Sequence, residues 1–116
     1  MATIERAISI RQPYVEQILL GKKKYEYRST LTHIRERVYL YASKKPASDD
    51  AEWRRVGSEP GNLPTGVIVG SVVIADCKWS EKYCCFQYRL ESPVRFRKHL
   101  IPKGQPGLAP IFDTAG

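Results

Sequence analysis

Residues 7–29 read AISIRQPYVEQILLGKKKYEYRS, and the hydrophobic period changes twice within them. From Arg6 to Ile10 apolar residues alternate, with Ile8 and Ile10 on one face and Ala7 and Ser9 on the other, the pattern of a short strand. From Gln12 to Leu20 the pattern is helical. Pro13 stands in the first turn, where a missing N–H costs nothing. Tyr14, Val15, Ile18 and Leu19 form one stripe, and Gly21 is a natural stop. From Lys22 to Ser29 the period returns to two: Lys24, Glu26 and Arg28 point one way, Tyr25 and Tyr27 the other. Strand, helix and strand thus follow one another through a lysine-rich junction. The tyrosine face is expected to pack, and the charged face to meet water.

The pattern continues outward. Arg37 to Ser43 is a strand with Val38, Leu40 and Ala42 inward. Ser48 to Val56 is a second short helix, with Ser48 as its cap, Asp49 and Asp50 in the first turn, Arg54 and Arg55 in the last, and Gly57 after it. Ser58 to Gly66 is a loop rich in Gly and Pro. Val67 to Asp76 is apolar on both faces and β-branched, the mark of a strand buried on both sides. Phe86 to Glu91 alternates again. A basic segment, the turn Gly104-Gln105-Pro106-Gly107 and a last strand near Leu108 to Phe112 complete the chain. There is no repeat and no regular βαβ alternation. The expected fold is α+β: a mixed β-barrel of about six strands with two short helices, one domain over residues 1–116.

At 116 residues, 42% hydrophobic and 27% charged, the composition is that of a globular domain rather than a disordered chain. The apolar run Val67 to Ala75 is about half of the ~20 residues of a membrane helix. The first residues carry charge and no apolar stretch, so a cytoplasmic protein is expected. Cys77, Cys84 and Cys85 form no evident disulfide framework and no C-x-x-C, and His33 and His99 stand alone. No metal site and no cofactor is expected. Nineteen Lys and Arg against 12 Asp and Glu give a net charge of +7, for which a polyanion is the natural complement.

Two segments carry candidate chemistry. In residues 21–29 a carboxylate lies among cations, an arrangement that suits a phosphate, a carboxylate or the edge of a base. The plainer alternative is a solvated edge strand whose lysines deter aggregation. From Arg89 to Lys103, Arg89, Arg95, Arg97, Lys98 and Lys103 stand against Glu91 alone. Tyr88 and Phe96 are interleaved, as base-stacking partners would be. Here the alternative is that the aromatics are core and the charges face water. Asp76 is either an acid–base residue or the partner of a following turn. Neither a nucleophilic triad nor a phosphate-binding glycine loop is present.

Taken in order, AISIRQPYVEQILLGKKKYEYRS, RVYLYASKKP at 37–46, GVIVGSVVIADC at 66–77 and KGQPGL at 103–108 resemble the ASCH domain (activating signal cointegrator homology), a family of the PUA-like superfamily. The resemblance implies a PUA-like pseudo-barrel with a cleft beside the first helix, and RNA binding. Some members are enzymes: one bacterial branch is an amidohydrolase acting on acetylated cytidine, with a lysine and a threonine in this turn and a glutamate elsewhere. Lys23 matches that lysine, Glu26 occupies the threonine position, and Glu81 is the loose counterpart of the glutamate. The chain is closer to the cointegrator-like branch.

The expected function is an RNA- or nucleotide-binding module whose cleft is lined by Gln12, Lys23, Glu26, Arg28 and Ser43, with Lys24, Arg95 and Arg97 as further ligand contacts. Gln12 would read a base edge, Lys23 and Arg28 would neutralise phosphate, and Glu26 would accept from an amino group or fix Arg28. One rival is a small hydrolase of a modified nucleoside or of RNA, with Lys23 as base and Glu26 as proton relay. Another is a protein-interaction module offering its basic face to an acidic partner. On the charged-strand reading, replacing Lys23, Glu26 or Arg28 by Ala should shift melting little. The charge balance has a direct consequence. Retention of single-stranded RNA should weaken with salt, log K against log[salt] sloping at about −0.7 per phosphate neutralised, and binding indifferent to salt would exclude a phosphate-led interaction.

Overall fold

The computed structural model describes residues 3–102 and the backbone of residues 111–112. Its elements run β1 (Ala7–Ile10), α1 (Tyr14–Leu19), β2 (Tyr25–Arg28), β3 (Arg37–Ala42), α2 (Asp50–Val56), β4 (Val67–Ser80), β5 (Cys85–Leu100) and β6 (Ile111–Phe112). The six strands form one sheet in the order β2-β5-β4-β3-β1-β6. β1 runs parallel to β3 and β6, and the other pairs are antiparallel. The α+β class and both helices are as the sequence implies. The turn at Gly104–Gly107 lies outside the described residues, as do residues 108–110 of the expected last strand.

The closed barrel is a correction. The hydrogen-bonded order is open, with β2 at one end and the β1–β6 pair at the other. β6 pairs with only Ala7 and Ile8, which leaves the Ser9–Ile10 edge of β1 without a strand on that side among the described residues. A side chain reaches across instead: Arg28, the last residue of β2, donates from Nη2 to the Ser9 carbonyl of β1. The two edges therefore face each other over a seam spanned by a guanidinium rather than by a backbone ladder. Bending helps to bring them together. The β4–β5 ladder carries three register shifts, and such irregularities bend and twist a strand pair.

One hydrophobic cluster, including Ile8, Ile10, Val15, Ile18, Val38, Leu40, Val72, Ile74, Tyr88 and Leu90, lies between the sheet and α1. Residues Ile68 to Val72 are buried in succession, which agrees with a strand covered on both faces. The β4–β5 hairpin runs well past the Val67–Asp76 and Phe86–Glu91 segments legible in the sequence. Its outer residues are exposed, and the shifts break their alternation.

Two details at the helix starts differ from expectation. Asp49, not Ser48, caps α2, accepting from the Ala51 and Glu52 amides at 3.1 and 3.4 Å. A carboxylate beside the positive end of the helix also gains from its dipole. Pro13 precedes α1, with its Gln12–Pro13 peptide cis, and the helix begins at Tyr14. Tyr88, expected as a stacking partner, is fully buried, its Oη donating to the Thr30 carbonyl at 2.6 Å. Phe96 packs edge-on against Tyr39. Both aromatics serve packing because β5 turns them toward the protein.

Gly70 lies where β4 passes under β5 and α1. A Cβ there would overlap the Val94 carbonyl oxygen and stand 2.9 Å from Leu19 Cδ2. Since the backbone oxygen cannot yield, Gly70→Ala should cost ~3 kcal/mol or more, the upper end of overpacking effects, read as a fall in the denaturation midpoint. Burial also raises the Tyr88 phenol above its ordinary value. Its contribution to stability is thus complete below about pH 10, the unfolded value, and is lost as pH rises through the higher folded value. Tyr88→Phe should lower stability at neutral pH and flatten its decline in the alkaline range, both measurable by denaturant titration.

Candidate functional site

A cleft of about 620 Å³ opens along the seam. β1 and its exit supply Ser9, Ile10 and Arg11, α1 supplies Tyr14, and Ser43 stands at the end of β3. The far wall is Lys23 with Glu26, Tyr27 and Arg28. The turn after α1 explains why Lys23 arrives there. The Gly21 and Lys22 amides bond back to the Ile18 and Gln17 carbonyls, closing the helix in a Schellman motif that needs a left-handed residue, and Gly21 has φ +79°. Lys23 N–H joins the same Gln17 carbonyl at 3.1 Å, so the junction lysine is held before strand geometry begins.

The charges are arranged around one carboxylate. Arg28 Nε donates to Glu26 Oε2 at 3.1 Å, and Lys23 Nζ lies 3.8 Å from Glu26 Oε1. The Arg28 side chain is only 5% exposed, so it needs these partners: a buried guanidinium without them would carry a large desolvation cost. This overturns the assignment of its strand face to water, and with it the expectation that Arg28→Ala leaves melting unchanged. The faces of β2 are the reverse of what its pattern implied. Tyr25 and Tyr27 are 36% and 38% exposed on this edge strand, where the Tyr27 ring meets that of Tyr83 at 4.8 Å between centroids rather than the core.

Lys23 is the distinctive group. Its ammonium lies 5.4 Å from the Tyr14 ring centroid and 5.3 Å from that of Tyr27, two cation–π contacts in a side chain 17% exposed. It has no hydrogen bond among the described residues, since its contact with Glu26 is longer than one. A partly buried ammonium with free donors, flanked by two rings, is arranged to receive an acceptor from the cleft. Burial raises the phenols of both tyrosines, with neighbouring acidic groups adding at Tyr14 and Tyr83 at Tyr27, so both rings are neutral at physiological pH.

The structure separates the residues named from the sequence. Lys23, Glu26, Arg28 and Ser43 meet in the cleft. Gln12 does not line it. Its side chain is buried, Oε1 accepting from the Glu16 amide at 3.0 Å and Nε2 donating to the Pro64 carbonyl at 3.0 Å, so its polar atoms are spent on the start of α1 and on the loop before β4. Lys24 faces a second cleft on the other side of the junction. Arg95 makes a two-pronged ion pair with Glu16, both bonds 2.9 Å, fastening β5 to α1, and the bond raises its pKa. Arg97 is exposed and lines neither cleft.

Glu81 lies in the turn between β4 and β5, outside the cleft lining, and Asp76 Oδ1 accepts from the Cys77 amide at 2.9 Å. Tyr14, Tyr27, Ser9 and Arg11 join the site through the fold alone. Tyr14 belongs to the apolar stripe of α1 in the sequence, and nothing in a helical period tells a ring at the edge of the stripe from one at its centre. Among the described residues no group of three His, Cys, Asp or Glu side chains could hold a metal, and no helix is long and apolar enough to cross a membrane.

Comparison with known proteins agrees with the motif reading. No curated protein matches the chain as a relative. The family model of the ASCH domain, however, matches residues 8–101, which takes in the helix, the lysine junction, the seam and the β4–β5 hairpin. With that span covering most of its length, the chain belongs to the ASCH domain family.

Proposed function

We propose that this ASCH domain is an RNA- or nucleotide-binding module whose ligand occupies the seam between β1 and β2. The family supports RNA binding at a general level. The observation that carries the reading to this site is Lys23, an ammonium without a hydrogen bond held between two tyrosine rings at the cleft wall. A phosphate or a base oxygen supplies the missing acceptor, and Tyr14 or Tyr27 offers an aromatic face for a base. Arg28 contributes from behind. With Nε on Glu26 and Nη2 on Ser9, it keeps Nη1 without a partner among the described residues, in a side chain that lines the cleft. Arg11, exposed at the rim, adds positive charge.

The hydrolase alternative is less well supported. The resemblance gives a hydroxyl to the position of Glu26, and here that carboxylate is engaged by Arg28 while Glu81 is outside the cleft. A panel of modified nucleosides followed by mass spectrometry tests it directly, since turnover would change a mass and binding would not.

Three variants separate site from scaffold. Lys23→Ala should lower affinity for a short single-stranded RNA or a nucleoside monophosphate about tenfold or more, as expected for a lost charge-assisted hydrogen bond, with a melting change of at most ~1 kcal/mol. Tyr27→Ala should weaken RNA by the ~1–3 kcal/mol of one stacked base. Arg28→Ala should lower both stability, by ~3–5 kcal/mol, and binding, because it leaves the partly buried Glu26 with Lys23 alone and opens the seam. Fluorescence anisotropy and calorimetry on the same preparations supply the comparison. Full affinity in Lys23→Ala would place the ligand elsewhere.

A further inference from the structure

Lys23 lines two clefts, not one. Behind the junction lies a second cavity of about 470 Å³, bordered by Lys24 and Tyr25 on one side and by Arg89 to Pro93 of β5 on the other. Ile18, Val72 and Leu90 lie beneath it, 1%, 0% and 5% exposed, so the surface it offers is mainly that of Lys24, Tyr25 and the β5 segment. The cavity exists because the sheet is interrupted there. Ser71 pairs with Val94 while Val73 pairs with Glu91, so Ser92 and Pro93 together stand opposite Val72 alone. Ser92 takes φ +53°, a conformation rare outside glycine, and its carbonyl accepts from Arg37 Nη1 at 2.9 Å, which fixes the bulge. Left-handed residues held by their surroundings cluster at ligand clamps.

The three consecutive lysines divide the space. Lys22 is committed to the Arg55 carbonyl at 3.0 Å. Lys23 faces both cavities, and Lys24, which has no ion pair among the described residues, faces only the second. Lys23 thus borders both recesses and Lys24 the second, and each recess has a tyrosine in its lining: Tyr27 in the first, Tyr25 in the second. A mononucleotide can use one recess. A ligand with two bases joined through a phosphate can use both recesses at once.

We infer that the second cavity is a subsite for the adjacent nucleotide, so that the module takes at least two consecutive nucleotides of a single strand, their linking phosphate on Lys23 and Lys24. One base stacks in the seam and its neighbour lies against the half-exposed Tyr25 ring, with the Arg89–Glu91 pair beside it. The inference rests on the nucleotide-binding reading of the seam and names the ligand class it prefers: a strand rather than a free nucleotide.

The test compares adenosine monophosphate, the dinucleotide ApA and a six-residue oligo(A), with the uridine series alongside, by calorimetry on the intact chain. The dinucleotide should bind at least about fivefold more tightly than the monophosphate, as one further stacked base implies. Tyr25→Ala should abolish that advantage and leave monophosphate affinity as it was. Arg89→Ala, at an exposed β5 site whose side chain pairs among the described residues with Glu91, should reduce it as a second variant that leaves the β2 sequence intact. Equal affinity for monophosphate and dinucleotide, or equal losses of both ligands in Tyr25→Ala, would overturn the subsite while leaving the seam intact. Binding of none of these probes would overturn the seam reading and the subsite with it.

Discussion

The buried Arg28 guanidinium is the contact on which the rest of the arrangement depends. It joins the end strand β2 to β1 at the other side of the sheet, where no ladder does so among the described residues. A guanidinium removed from water is tolerable only with its donors satisfied, and Glu26 and the Ser9 carbonyl satisfy two of them. The requirement is mutual. Glu26, only 13% exposed, is held among the two cations that flank it, and its position sets where the Lys23 ammonium rests. One electrostatic knot thus spans the seam and shapes the cleft.

A side-chain bridge in place of a backbone ladder has a functional consequence. A continuous ladder would pair the main-chain groups of β1 and β2 with each other and leave no space between them. A single long side chain holds the edges apart, and the gap becomes a recess with polar walls. Ligand sites in β folds often lie where pairing fails. Here it fails twice, at the seam and at the Ser92–Pro93 bulge, and Lys23 is the residue adjacent to both.

The basic character of the chain is also unevenly used. Arg95 ties β5 to α1, Lys22 bonds to the Arg55 carbonyl in the last turn of α2, and Arg37 fixes the bulge. These cations are structural despite their exposure. The contribution of any one surface pair is small, yet each orients an element that borders a cleft. Net charge attracts a polyanion to the molecule as a whole, whereas the cations that border a cleft decide where it would settle.

Periodicity and turn chemistry by themselves determined the α+β class, both helices, the buried strand at Val67–Asp76 and the lysine junction. Each of these is set by residues close together in the chain: a glycine that must be left-handed, a stripe of apolar side chains, a run of β-branched residues. Tertiary structure alone decided which face of β2 turns inward. Alternation shows that Glu26 and Arg28 oppose Tyr25 and Tyr27, but not which pair meets the core; an edge strand with a buried ion pair inverts the usual answer. It likewise committed Gln12 to the start of α1 and Arg95 to Glu16, since those partners follow from packing rather than spacing. The openness of the sheet belongs to the same class, because closure depends on accumulated bending over the β4–β5 bulges, and no local pattern records how far two distant edges will approach.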